Sequence, residues 1–122
     1  MIKLRCHCGQ VEAEINVPEK LEKIIRCNCS FCKRRGAVMS LVKNENFKVT
    51  KGREKLKSYQ FHTNVAKHYF CNYCGIYTHH HPRSNPAMTG FNLGCVDSID
   101  TFSLNDIKIN DGLNHPLDKK NK

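Results

Sequence analysis

The spacing of the eight cysteines constrains this 122-residue chain more than any other feature of its sequence. Three tight groups, Cys6-x-Cys8, Cys27-x-Cys29-x-x-Cys32 and Cys71-x-x-Cys74, are followed by an isolated Cys95. A disulfide between cysteines one or two residues apart would be strained. Two thiolates at that spacing can instead reach one tetrahedral zinc ion at about 2.3 Å each. The spacing therefore predicts metal ligands rather than disulfides.

Glycines directly after the first and last groups support this interpretation. In a metal-binding knuckle the chain turns tightly, and the residue after the second cysteine often needs a positive φ, which glycine adopts without steric cost. Gly9 and Gly75 occupy these positions. Two such knuckles predict one closed four-cysteine site, although the spacing alone leaves open whether the first pair joins the last pair or members of the middle group.

The middle group differs because it offers three thiols, Cys27, Cys29 and Cys32, with no fourth ligand beside them. Three protein ligands and an open position are typical of a catalytic zinc. The alternative is a closed site that Cys95 or a histidine completes from a distance. Cys95 alternates with Phe91 and Leu93, so we expect it to be a small buried hydrophobe in a strand rather than a ligand.

A basic run, Lys33-Arg34-Arg35, follows the middle group directly. Cations beside thiols favour the thiolate form that binds metal, and guanidinium groups can bind the carboxylates of a ligand. A solvated basic turn is the alternative. A second run, His79 to His81, resembles a metal tract, but three consecutive strand residues cannot all face one ion, and we expect at most one of them to be functional.

The net charge of +9 counts every cysteine as a neutral thiol. Seven thiolates on two zinc ions would carry a total of −3 and leave about +6. Such a basic surface is either simply solvated or attracts an anionic ligand or nucleic acid. Nucleic acid is possible but not favoured, because the basic residues are scattered and no aromatic platform is interleaved with them.

Period-two alternation predicts a mainly β fold with little helix. A half-buried strand is expected over residues 11–17, a more buried one over 37–42, and others over 47–49, 56–61, 66–70, 91–95 and 107–109. Residues 18–25 could be a helical turn or the start of a strand. Sheets of this kind close into a sandwich or an open barrel to cover their inner faces.

The length fits a single domain, which we expect to span residues 1–113 and to be followed by a polar, basic tail over 114–122. No apolar stretch of signal length follows Met1, and none approaches the roughly 20 residues needed to cross a bilayer. We therefore expect a cytoplasmic protein with no membrane association, whose thiols stay reduced.

Taken in order, these motifs resemble the family of glutathione-dependent formaldehyde-activating enzymes and centromere protein V. The resemblance is carried by four stretches that cover residues 6 to about 100: Cys6-His7-Cys8-Gly9, Arg26 to Arg34 with Gly36-Ala37, Phe70 to Gly75, and Phe91 to Asp97. It implies an Mss4-like β fold. It also implies a structural zinc site formed by Cys6, Cys8, Cys71 and Cys74, and a second zinc site, the candidate catalytic one, formed by Cys27, Cys29 and Cys32.

The activity that the resemblance implies is condensation of glutathione with formaldehyde to S-hydroxymethylglutathione, which is classed as carbon–sulfur lyase chemistry. A zinc ion on three thiolates could accept the glutathione thiolate as its fourth ligand, and Arg34 and Arg35 could hold the glutathione carboxylates. The alternative is a non-catalytic, zinc-stapled binding module that acts through its basic surface.

Overall fold

The computed structural model describes residues 1–17, 21, 23–61, 63–83 and 85–112. Within these ranges the chain forms ten strands: β1 (Ile2–Arg5), β2 (Glu12–Ile15), β3 (Ile24–Cys27), β4 (Met39–Lys43), β5 (Phe47–Lys51), β6 (Leu56–Tyr59), β7 (Lys67–Cys71), β8 (Tyr77–His81), β9 (Met88–Asn92) and β10 (Lys108–Asn110). The same ranges contain one α-helix, α1 (Ser30–Arg35), and 3-10 helices at Asn44–Asn46, Arg53–Lys55, Leu93–Cys95 and Thr101–Ser103. The prediction of a mainly β fold with little helix is confirmed.

The strands form two sheets. The smaller sheet has the order β1-β2-β5, and the larger has the order β10-β3-β4-β9-β8-β7-β6. The pairs of described strands are antiparallel, except that β10 runs parallel to β3. Because β10 comes from the end of the described chain and β3 from its first quarter, this pairing brings two distant segments together beside the middle cysteine group.

The hydrophobic core lies between the two sheets. In β2 and just before it, the predicted alternation is confirmed, because Val11, Ala13 and Ile15 are buried while Glu12 and Glu14 are partly exposed. Burying every second side chain is how one face of a strand contributes to a core. Both sheets contribute to the main cluster, which consists of Leu4, Ala13, Ile15, Val42, Phe91, Leu93, Cys95 and Val96.

The prediction of one strand through residues 91–95 is wrong in its second half. Strand β9 ends at Asn92, and Leu93–Cys95 is a 3-10 helix, although Phe91, Leu93 and Cys95 are all buried as expected. The reason is local, because the Asn92 side chain accepts a 2.9 Å hydrogen bond from the Gly94 N–H. An asparagine that binds the backbone two residues on favours a turn over a strand.

Other predicted strands are confirmed with small shifts of their ends, including β4, β5, β6, β7 and β10. The segment 18–25 is described only in part, and its end is the start of strand β3. The predicted tail at 114–122 lies outside the described residues, and the domain limit at 113 remains a prediction. No described helix has the length and apolar character needed to cross a membrane.

Candidate metal centres

The first and last cysteine pairs meet in one cluster. The sulfur atoms of Cys6, Cys8, Cys71 and Cys74 all lie within 4.8 Å of one another. The Sγ atom of Cys8 is 3.7 Å from those of Cys6 and Cys71, although Cys71 is 63 residues away in sequence. Sulfurs at about 2.3 Å from a tetrahedral zinc would be about 3.8 Å apart. The geometry thus suits a four-thiolate zinc, and it brings together the two pairs whose pairing the spacing had left open.

Two tight turns place these four sulfurs. The first joins β1 to β2, where the Gly9 N–H donates to the Cys6 carbonyl oxygen at 3.1 Å and the Val11 N–H donates to the Cys6 sulfur at 3.3 Å. The second joins β7 to β8, where the Gly75 N–H donates to the Cys71 carbonyl oxygen at 2.8 Å. Gly9 and Gly75 have φ values of 78° and 74°, so the predicted need for a positive φ is confirmed.

The middle group forms a second cluster. The sulfur atoms of Cys27, Cys29 and Cys32 also lie within 4.8 Å of one another. Cys27 ends strand β3, and Cys29 is the N-cap of helix α1, where its sulfur accepts a 3.3 Å hydrogen bond from the Cys32 N–H. One helical turn then separates Cys29 from Cys32, which places both on one face. Gly36 ends the helix with a φ of 67°.

Hydrogen bonding between the thiols divides the charge unevenly in this second cluster. The hydrogen bond from the Cys32 side chain lowers the pKa of Cys27 to about 5. The same bond raises the pKa of Cys32, and burial raises it further. The Cys27 thiol therefore ionises more readily than an ordinary cysteine, and thiolate is the form that binds metal. The donor set fits a soft divalent ion such as zinc.

The end of the described chain packs directly against this second cluster. The Asn28 N–H donates to the Asn110 carbonyl oxygen at 3.1 Å. A Cβ atom added to Gly112 would lie 2.6 Å from the Cys27 sulfur and 2.8 Å from the Cys29 Cβ, so any side chain larger than that of glycine would have to displace these atoms. Sequence reasoning missed both Asn110 and Gly112, because their role depends on the parallel pairing of β10 with β3.

The two arginines predicted to hold a ligand's carboxylates lie in different environments. Arg34 is exposed, and its Nη1 donates to the Ser30 carbonyl oxygen at 2.7 Å. Arg35 turns inward, where its Nη2 donates to the Cys32 sulfur at 3.3 Å and its Nη1 to the His68 Nδ1 at 3.0 Å. The spacing of three residues between Cys32 and Arg35 was the available signal, since such pairs share a helix face.

Strands β7 and β8 supply further residues near Arg35, of which the sequence singled out only His80, as part of the histidine run. The Arg35 Cζ lies 3.7 Å from the centre of the Tyr77 ring. The Tyr77 hydroxyl is hydrogen-bonded to the His80 Nδ1 at 2.5 Å, and the His68 and His80 rings stack at 5.3 Å. Burial lowers the pKa of His68 to about 4 and also lowers that of His80.

The histidine run divides between the two faces of β8, as alternation requires. His80 faces Tyr77 and His68, whereas His79 stacks on Tyr69 at 4.7 Å. Burial lowers the pKa of His79 to about 3. Neither of the two described cysteine clusters includes a histidine. Which of the run, if any, is functional stays a prediction.

Cys95 lies in the main hydrophobic core, as predicted for a small buried hydrophobe. Its thiol donates to the Tyr77 carbonyl oxygen at 3.5 Å. Burial raises the pKa of this thiol to about 12. It belongs to neither of the clusters formed by the described cysteines.

The chain is similar to known proteins. A family model described as glutathione-dependent formaldehyde-activating enzyme matches residues 1–109. The chain is also similar to a Rhodobacter sphaeroides protein of known crystal structure, with 41% sequence identity and a TM-score of 0.85. That similarity covers 89% of this chain and 100% of the other.

Proposed function

Because the chain belongs to the glutathione-dependent formaldehyde-activating enzyme family, we propose that it joins a small thiol such as glutathione to an aldehyde. Its mainly β fold is Mss4-like, as predicted, and the family supports a glutathione-related, aldehyde-activating function. The observation that carries the proposal is the cluster of Cys27, Cys29 and Cys32, which gathers three thiols without a fourth described ligand.

In this proposal the two cysteine clusters have separate roles. The cluster of Cys6, Cys8, Cys71 and Cys74 holds a structural zinc, because four thiolates complete a tetrahedral coordination shell. The cluster of Cys27, Cys29 and Cys32 would hold a second zinc, and its three thiols would leave that ion able to accept a substrate sulfur. Zinc bound there supplies a positive charge that favours the thiolate form of an incoming thiol at neutral pH.

The reaction forms one carbon–sulfur bond. The sulfur of the substrate thiolate attacks the carbonyl carbon of formaldehyde, and the π electrons of the C=O bond move to the oxygen. That oxygen takes up one proton, which balances the proton lost by the thiol, so no oxidant or reductant is needed. The reverse reaction breaks the carbon–sulfur bond and is the carbon–sulfur lyase direction.

The chain's own side chains would orient the substrate at this site. Arg34 lies on the exposed side of helix α1, four residues from Ser30 and two from Cys32 in the chain. A guanidinium there can bind a glutathione carboxylate through paired hydrogen bonds. Arg35 is turned away from solvent by its contacts with Cys32 and His68, so it is less suited to that task.

Native mass spectrometry with and without glutathione tests the proposal. We expect two zinc ions per chain and one glutathione adduct that is lost in Cys29→Ser. Serine is itself a good N-cap, so helix α1 should survive this substitution. Cys71→Ser is the contrasting variant, because Cys71 is fully buried and its loss should unfold the domain. Zinc retained with no thiol adduct in the natural sequence would contradict the proposal, and equal unfolding of both variants would contradict the division of roles.

A further inference from the structure

We propose that Arg35 is a positioning residue that balances the negative charge of the three-cysteine cluster and thereby sets its affinity for a fourth, anionic sulfur ligand. The inference rests on the proposed function, because it concerns a metal-loaded cluster of Cys27, Cys29 and Cys32. It replaces the expectation that Arg35 binds the carboxylates of glutathione.

The guanidinium of Arg35 is fixed from several sides. One terminal nitrogen, Nη2, donates to the Cys32 sulfur at 3.3 Å and lies 3.2 Å from the Met39 sulfur. The other, Nη1, donates to the His68 ring at 3.0 Å. The Tyr77 ring packs against the guanidinium at 3.7 Å, a cation–π contact that strengthens when it is removed from water. These contacts direct the charge toward Cys32.

The residues around Arg35 are themselves held in place. Tyr77 is hydrogen-bonded to His80, and His80 stacks on His68. The Phe31 ring lies 4.5 Å from His68 and 5.0 Å from the Arg35 Cζ. Burial lowers the pKa of both histidines, so they are neutral at pH 7 and add no positive charge of their own. Arg35 therefore supplies the positive charge in this network of described residues.

No described carboxylate offsets that charge. The ion pair found among the described residues joins Lys51 to Glu12, away from helix α1. Burying an unpaired cation is costly, and burial raises the pKa of Tyr77, so its hydroxyl stays neutral. The Cys32 sulfur is thus the group in contact with Arg35 that can carry the opposite charge.

Arg35 would change the total charge of the metal-loaded cluster. A divalent metal with three thiolates carries −1, and the nearby guanidinium brings the total to zero. A fourth thiolate then takes the total to −1 rather than −2. Because charges interact strongly in a partly buried site, the presence of Arg35 favours binding of an anionic fourth ligand.

Arg34 provides a matched control for this inference. It neighbours Arg35 in the same helix and carries the same charge, but its side chain is exposed and is hydrogen-bonded to the Ser30 carbonyl oxygen. Substituting either arginine by methionine removes one positive charge and keeps an unbranched apolar stem. Only the Arg35 substitution removes a contact with the cluster.

Three probes separate charge compensation from carboxylate recognition. 2-Mercaptoethanol has a thiol and no carboxylate, glutathione has both, and S-methylglutathione has carboxylates and no free thiol. Dissociation constants are measured by calorimetry on the zinc-loaded protein. Absorption spectra of the cobalt(II)-loaded protein report whether a fourth sulfur joins the metal.

We expect Arg35→Met to weaken binding of 2-mercaptoethanol and glutathione by similar factors of about tenfold or more. Because Arg34 is proposed to hold a glutathione carboxylate and 2-mercaptoethanol has none, Arg34→Met should weaken glutathione binding and not 2-mercaptoethanol binding. Arg35→Lys should recover part of the loss caused by Arg35→Met, because it restores the charge without the planar fork. Zinc content and thermal unfolding check that each variant is folded. If Arg35→Met does not fold, Arg35→Gln keeps an N–H donor without the charge and takes its place.

Two results would overturn the inference alone. One is unchanged binding of 2-mercaptoethanol by folded, zinc-loaded Arg35→Met. The other is a loss confined to glutathione and S-methylglutathione, which would make Arg35 a carboxylate-binding residue after all. Failure of the natural sequence to bind either thiol would instead overturn the proposed function, and this inference with it.

Discussion

Substituting Gly112 by alanine should weaken metal binding at the three-cysteine cluster without touching a ligand. The added Cβ would lie 2.6 Å from the Cys27 sulfur and 2.8 Å from the Cys29 Cβ. Since such atoms normally pack at about 3.5–4.0 Å, the chain end and the cysteines must separate by about 1 Å. Overpacking of this kind costs about 1–3 kcal/mol. Displacing the groups that orient metal ligands typically lowers metal affinity by about 10–100-fold, which corresponds to a similar free energy.

The assay is competition with a zinc chelator, in which zinc release from each of the two clusters is followed separately. In Gly112→Ala the zinc of the three-cysteine cluster should be lost at a chelator concentration about 10–100-fold lower, and the zinc of the four-cysteine cluster should be retained as in the natural sequence. Gly94→Ala serves as the control, because its added Cβ meets mainly the Asn92 side chain at 3.1 Å. Unchanged zinc affinity at both clusters, together with unchanged unfolding, would refute the close packing of the chain end on Cys27 and Cys29.

Two further predictions concern stability. Gly52→Ala should lower the free energy of unfolding by about 3 kcal/mol or more, because Gly52 has a φ of 76° and an added Cβ would lie 1.9 Å from a backbone oxygen. Gly36→Ala should lower it by only about 1–2 kcal/mol, because Gly36 has a φ of 67° but open space around it. Urea unfolding that ranks the two variants equally would count against this packing at Gly52. Burial holds the pKa of His79 at about 3 in the folded protein, whereas an unfolded histidine has a pKa of about 6.5. Below about pH 6.5 the unfolded state therefore binds a proton that the folded state does not. His79 should then lower the free energy of unfolding by about 1.4 kcal/mol for each pH unit from 6.5 down toward 3. His79→Gln should therefore flatten the dependence of unfolding free energy on pH between 5 and 6.5, and a variant with the same slope as the natural sequence would show that His79 is not buried in a neutral form.

The parts of the structure that sequence predicted best are those fixed by local chemistry. Gly9 and Gly75 were expected to have positive φ because a knuckle turn requires it, and they do. The strand around Ala13 followed from alternation, which depends only on which face of a sheet is covered. The three local cysteine groups likewise followed from spacing, because neighbouring thiols can reach one ion whatever the rest of the fold, whereas the meeting of the first and last pairs in one cluster did not.

The parts that sequence could not predict depend on contacts between distant segments. Arg34 and Arg35 look equivalent in the sequence, yet one is exposed and the other contacts Cys32. What decides between them is a surface built by Tyr77 and His68 on strands β8 and β7, which no local pattern reveals. The predicted strand over 91–95 failed for a different, local reason. Alternation alone does not distinguish a strand from a turn whose side chains are also buried.

The 63-residue separation between Cys8 and Cys71 has a consequence for how a metal ion bound at their cluster would exchange. A metal ion held there closes a long loop, and a cross-link over such a loop lowers the entropy of the unfolded chain by an amount worth about 4 kcal/mol. Two of its four sulfurs, those of Cys6 and Cys71, are buried, so its exchange should be slower than that of an ion at the other cluster. The other cluster spans six residues in sequence, from Cys27 to Cys32. It can gain or lose its ion while the two sheets stay together, and during synthesis its three thiols emerge long before Cys71 does.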